Sequence, residues 1–148
     1  MSVEIVSLGK GKIITMRRVK EKAERILKVL NQNRAELSLA LVGNKEIQRL
    51  NSRYRNKNEP TDVLSFPVGE RLPTREKLLG DVVISVERAQ WQAREGRRKL
   101  ETEIETLLIH GILHLLGYDH EGSAKEARKM RRREKSVRLR LCRLGNLR

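Results

Sequence analysis

An α+β fold with one mixed sheet of about four strands and helices around it is what this chain predicts. Three observations carry it. Short stretches of alternating or continuous apolar residues (Ser2 to Leu8, Glu36 to Val42, Thr61 to Phe66, Leu79 to Val86) read as strands. Between and after them lie longer stretches with apolar residues at helical spacing, Met16 to Asn33 foremost. The two kinds do not alternate as regular strand–helix–strand units, which favours α+β over a doubly wound sheet.

The first strand sets Val3 and Ile5 against Glu4. Gly9 to Gly11 reads as a turn, followed by a short extended Ile13-Ile14. The helix after it buries a stripe of Val19, Ala23, Ile26, Leu27 and Leu30, with Lys20, Glu21, Arg25 and Lys28 facing water. Leu37, Leu39 and Leu41 share one face of the second strand. Asn44 is the expected N-cap of a helix through about Tyr54, with Ile47 and Leu50 buried. Arg55 to Pro60 is turn-like, Pro67 is expected to end the third strand, and Gly69 to Lys77 reads as a polar loop. The fourth strand holds Val82, Val83, Ile84 and Val86 in a nearly continuous apolar run, as in a strand covered on both faces. Ser85 caps a helix from Val86 to about Glu95, broken at Gly96. Thr102-x-x-Glu105 reads as a capping box opening the next helix, anchored by Ile104, Leu107, Leu108 and Leu115. Ser123-x-x-Glu126 opens the last, a basic helix from about residue 123 towards Leu144, with Met130, Val137, Leu141 and Leu144 packing inward. No repeat or linker divides the chain, so residues 1–148 are expected to form one domain.

Composition narrows the function. No apolar run approaches the roughly 18 residues a membrane span needs, and the first residues lack a basic then apolar leader. The single cysteine, Cys142, has no internal partner, which points to a reducing cytoplasm. With 33 basic against 19 acidic residues the net charge is +14. That imbalance favours a polyanionic partner, nucleic acid ahead of membrane, over balanced ion-pair networks. Aromatics are only 3% of the chain. Tyr54 and Tyr118 join Phe66 and Trp91 as the rings able to stack on bases, but Phe66 and Trp91 are assigned to the core. Phosphate contact then dominates over base readout.

The chemistry concentrates in one stretch. All three histidines lie in HGILHLLGYDH, at His110, His114 and His120. His110 and His114 leave one helix face a turn apart. Gly117 can take the left-handed conformation that reverses the chain and returns His120 to the same point. Three converging imidazoles with an open fourth position are the layout of a catalytic zinc site, one ion per chain, although Ni, Cu, Fe and Co also suit imidazole. The spacing matches the metzincin frame except that Gly111 stands where the protease has its general base, which weakens a peptidase reading.

HGILHLLGYDH resembles the signature of the YbeY family of bacterial ribosomal-RNA maturation factors. NSRYRNKNEPTDVLSFP, from Asn51 to Pro67, and LGDVVIS, from Leu79 to Ser85, are similar to two further blocks of that family. The resemblance implies a zincin-like fold and a metal-dependent, single-strand-specific endoribonuclease. It implies action in small-subunit 3′-end maturation and ribosome quality control, with ribosomal RNA and ribosomal particles as partners. It implies the metal ligands His110, His114 and His120, and a functional arginine at Arg55 that stabilises the phosphate. His114 joins Arg55 in the catalytic set through the water a metal would activate, since zinc on neutral imidazoles lowers the pKa of such a water to about 7. Asp119 and Glu121, flanking His120, are candidates for orienting a ligand or relaying a proton. The chain departs from the family after Arg128, where it turns densely basic. Arg128, Arg131, Arg132 and Arg133 are candidate RNA contacts there. The competing readings are a non-catalytic ribosome-binding factor with a structural metal, a metalloprotease-like hydrolase, and a hydrolase of small phosphoesters.

Overall fold

The computed structural model describes residues 1–7, 16–71, 77–119 and 121–146. The described elements run β1 (Ser2–Ser7), α1 (Met16–Val29), β2 (Ala35–Val42), α2 (Asn44–Arg55), β3 (Val63–Arg71), β4 (Lys77–Ser85), α3 (Val86–Glu95), α4 (Leu100–Leu115) and α5 (Ala124–Asn146). The strands form one mixed sheet in the order β1-β2-β4-β3. The β1–β2 and β2–β4 pairs are parallel, and β3 runs antiparallel to β4. The α+β expectation with about four strands therefore holds. The turn assigned to Gly9–Gly11 and the extended Ile13-Ile14 lie outside the described residues, as does His120.

Side-chain alternation on β2 and β4 splits the core in two. Leu37, Leu39 and Leu41 face the same way as Val82 and Ile84 and pack under α1, α4 and α5. Val42, Leu64 and Val83 face the other way, where Ile47 of α2 covers them. The α1 stripe is buried along its length, and so are Ile104, Leu107, Leu108 and Leu115 of α4. On α5, Met130, Val137 and Leu141 are buried, whereas Leu144 is exposed, so the helix's apolar seam ends a turn earlier than its spacing predicts. Among the described residues no helix is long and apolar enough to cross a membrane.

Several local expectations are corrected. Pro67 does not end β3: the strand continues to Arg71, and pairing with β4 shifts register between Pro67 and Glu70. β3 is an edge strand, and a proline without an N–H is tolerated at an edge and at a bulge. Opposite it, Gly80 has φ 139°, and a Cβ there would collide with the Phe66 carbonyl. Residues 69–71 and 77, assigned to a loop, thus belong to strands. Asn44 is the first helical residue rather than the cap, which is Gly43. Its N–H is instead held by Oε1 of Glu87 at 2.9 Å. Thr102-x-x-Glu105 caps nothing, because α4 already begins at Leu100 behind Lys99. The reversal comes earlier, at Arg97 with φ 53°, and Glu103 turns inward to take two hydrogen bonds from the Arg98 guanidinium, at 2.8 and 3.0 Å. The other two caps hold: the Ser85 hydroxyl accepts from the Arg88 N–H, and Ser123 from the Glu126 N–H.

The two ring assignments to the core divide. Phe66 is half-buried and meets Tyr54 edge-on with ring centroids 5.4 Å apart. Trp91 is 51% exposed, because α3 buries its opposite face through the small side chains Ala89 and Ala93.

Candidate functional site

Helix α4 lies across β3 and β4, and its contact with the sheet fixes the orientation of the histidines. Gly111 is buried there, and a Cβ on it would stand 2.8 Å from Cγ1 of Val82. Its carbonyl accepts a 3.0 Å hydrogen bond from the Ser65 hydroxyl. The position where a metzincin carries its glutamate therefore points into the sheet with no room for a side chain. The glycine is a packing requirement, not a lost base, and the metalloprotease reading fails on this geometry.

With Gly111 against the sheet, His110 and His114, one turn apart on α4, lie at the edge of that contact and line the cavity beside it. Their Nε2 atoms face each other at 3.1 Å, with ring centroids 4.7 Å apart and planes at 72°. After Leu115 the helix closes as expected. The Tyr118 N–H reaches back to the Leu113 carbonyl at 3.1 Å, and Gly117 takes φ 98°. That reversal lifts Tyr118, Asp119 and Glu121 to the rim of the same depression. Asp119 orders its own turn by accepting from the Glu121 N–H at 2.9 Å.

The depression is a cavity of about 650 Å³ between α4, the C-terminal end of α2 and the start of β3. His110, His114, Arg55, Asp119 and Glu121 all line it, so the structure gathers five of the predicted site residues. Arg55 is exposed at the last position of α2, where Asn56 enters the left-handed region with φ 56° and turns the chain. The third proposed ligand, His120, lies outside the described residues. Among the described residues no three His, Cys, Asp or Glu side chains gather closely enough to hold a metal ion. Arg128, Arg131 and Arg132 are exposed and Arg133 is half-buried on α5, and none of the four lines this cavity.

Three contributors were not anticipated. Asn51, a buried polar residue on α2, donates from Nδ2 to the Glu59 carbonyl at 2.9 Å and so ties down the loop that forms the cavity wall. Asp62 accepts from the Val63 N–H at 2.8 Å and from the Gln92 amide at 3.3 Å, which fixes its carboxylate between the cavity and α3. Glu134 reaches from α5 to within 3.6 Å of Nδ1 of His110. Asn51 and Asp62 sit inside the block similar to the family's, so their positions were visible but not their roles. Glu134 left a trace as the acid nearly alone on a basic helix.

The model of the family described as endoribonuclease YbeY matches residues 6–141. A protein of Aquifex aeolicus named endoribonuclease YbeY is 47% identical over 133 residues, 90% of this chain and 87% of that protein. One of Persephonella marina with the same name is 52% identical over 118 residues, 79% of this chain and 77% of its own. The solution structure of a Thermotoga maritima protein superposes with a TM-score of 0.62 at 30% identity, covering 91% of this chain and 85% of that one. This chain belongs to the endoribonuclease YbeY family.

Proposed function

We propose that the chain cuts single-stranded RNA with one divalent metal ion, zinc first, held by His110, His114 and His120. Its substrate is ribosomal RNA at the small-subunit 3′ end, on ribosomal particles in the cytoplasm, with a part in ribosome quality control. Endoribonuclease activity itself follows from the family; the metal, the residues and the substrate are the proposal.

The observation that carries it is the approach of the two Nε2 atoms to 3.1 Å in a cavity that Arg55 also lines. Two nitrogens bound to one tetrahedral ion at about 2.0–2.1 Å lie roughly 3.3 Å apart, so the pair already has the spacing of metal ligands. Two imidazole lone pairs facing each other at this distance repel unless a cation or a shared proton lies between them. When bound, the ion polarises a phosphoryl oxygen and brings the pKa of a coordinated water to about 7.

The remaining steps belong to the chain. Glu134 beside Nδ1 of His110 favours the proton on that nitrogen and leaves Nε2 as the donor to metal. Arg55 offers the phosphate two parallel N–H donors and stabilises the charge that grows on its oxygens. Asn51 and the Glu59 carbonyl hold the wall against which the RNA backbone lies. Asp119 and Glu121, which line the same cavity, are the carboxylates that orient a ligand or relay a proton. The charge of +14 suits a polymer rather than a small phosphoester.

The test is cleavage of a single-stranded ribosomal RNA fragment by metal-loaded wild type, His114→Ala and Arg55→Ala, with metal measured on each. Cleavage by wild type, loss of metal and activity in His114→Ala, and loss of activity by about 10²–10³ with metal retained in Arg55→Ala support the proposal. Equal cleavage by all three overturns it.

A further inference from the structure

A second cavity, of about 570 Å³, adjoins the first and shares Asp62 and His110 with it. Its outer wall is α3. On that wall stands Trp91, half in water although it is the chain's only tryptophan. The guanidinium carbon of Arg88, one turn earlier, lies over the indole at 4.6 Å from the ring centroid. Glu95, one turn later on the same helix face, also lines the cavity. So does Gln92, whose amide nitrogen is engaged by Asp62, which leaves its carbonyl oxygen as an acceptor. Of the other acids that line the cavity, Glu103 on α4 is paired with Arg98, and Asp62 is engaged by the Val63 N–H and the Gln92 amide.

An exposed indole braced by an arginine and bordered by acceptors has the composition of a nucleobase platform. The flat ring stacks on any base, and acceptors at its edge select bases that carry an exocyclic amino group. We infer that Trp91 and Arg88 stack one unpaired base of the RNA beside the scissile phosphate, with Glu95 and the Gln92 carbonyl accepting from its amino group. Adenine, cytosine and guanine can satisfy both acceptors with the two N–H donors of their amino group, whereas uracil, with a carbonyl in place of that group, offers only its single N3–H. The inference rests on the endoribonuclease reading of the adjoining cavity, whose residues the two cavities share. It gives the enzyme a local base preference next to a cavity that otherwise reads phosphate.

Because Trp91 is the only tryptophan, its emission reports on the platform directly. The intact chain is titrated with short single-stranded 2′-O-methyl oligonucleotides of adenine, cytosine or uracil, and with adenine oligomers carrying one abasic position at each register in turn. The expected result is saturable quenching by adenine and cytosine oligomers, weaker quenching by uracil, and loss of quenching at one abasic register. Trp91→Ala is expected to bind the adenine oligomer about 5- to 150-fold more weakly and to raise KM for RNA cleavage more than it lowers kcat. Trp91→Phe recovers most of that loss, and circular dichroism shows both variants folded. No quenching at saturation, with KM unchanged in Trp91→Ala while wild type cleaves RNA, overturns the platform and leaves the nuclease reading intact. Equal quenching by uracil oligomers overturns the role of Glu95 and Gln92. Quenching with the abasic signature but no RNA cleavage by wild type supports the platform and overturns the catalytic reading instead.

Discussion

Nδ1 of His110, on α4, lies 3.6 Å from Oε1 of Glu134, on α5. The contact joins the basic C-terminal helix to the site, which none of its arginines lines. A carboxylate behind a metal-binding imidazole fixes the ring's orientation and its tautomer. Glu134→Ala is therefore expected to weaken zinc binding about 10- to 100-fold, read by competition with a chromophoric chelator. Glu134→Gln keeps an acceptor at the same place and loses less. Unchanged affinity in Glu134→Ala would show that the contact does not support the metal.

Restoring the protease residue tests why Gly111 is a glycine. Gly111→Glu recreates the metzincin frame in sequence but drives a carboxylate into Val82 and Ser65. Overpacking costs about 1–3 kcal/mol and a buried unpaired charge several more. The variant is expected to lose at least about 3 kcal/mol in urea unfolding and to gain no peptidase activity. A stable variant that digests casein would reverse the reading of this position.

How much of this could be seen in the sequence depended on the range of the interaction. Helix and strand periodicity located every described element, because amphipathic spacing reports burial directly. Ser85 and Ser123 were legible as caps because their bonds reach only three residues on. The Thr102 box carried the same local signal and was wrong, since Glu103 is claimed by Arg98 and the helix starts before it. Pro67 read as a strand end until the order of the sheet put β3 at an edge. His110 and His114 were legible as a pair because one helix sets their spacing. Glu134 was not, because only the packing of α5 on α4 brings it there. Trp91 was misassigned because an aromatic on an amphipathic helix usually faces the core, and here alanines do.

Asn51 is expected to matter through a backbone group it never leaves. Its Nδ2 satisfies the Glu59 carbonyl at 2.9 Å in a buried setting. Asn51→Ala leaves that carbonyl without its partner, at a cost of about 1–3 kcal/mol. Both urea stability and RNA cleavage should fall, with metal affinity unchanged, since none of the three proposed ligands is on this loop. A variant as stable and active as wild type would show that the loop is held by other contacts.

Asp81 gives the opposite kind of prediction. It lies on the sheet face away from α4, where its side chain is still exposed, and partial desolvation by its neighbours raises its carboxyl above the ordinary 3.8. The ionised form therefore opposes folding. Below pH 3.8 both folded and unfolded forms are protonated and the penalty is absent. It grows as pH rises and is complete above the raised folded value. Asp81→Asn should raise Tm at neutral pH, and the gain should vanish as pH falls towards 3.8. A gain that persists in acid would have another origin.

The basic helix makes a prediction about salt. Arg128, Arg131 and Arg132 are exposed and Arg133 is half-buried on α5, all away from the catalytic cavity. If RNA crosses this helix, each phosphate contact releases counterions and adds about 0.7 to the slope of log affinity against log salt. Four contacts weaken binding on the order of 50-fold between about 50 and 200 mM salt. Replacing all four arginines with alanine should flatten the slope by up to about 3 and weaken binding at low salt, while kcat on a short oligonucleotide that reaches only the cavity stays unchanged. An unaltered slope would assign the salt dependence to Arg55 and the cavity, and leave α5's arginines without a part in RNA binding.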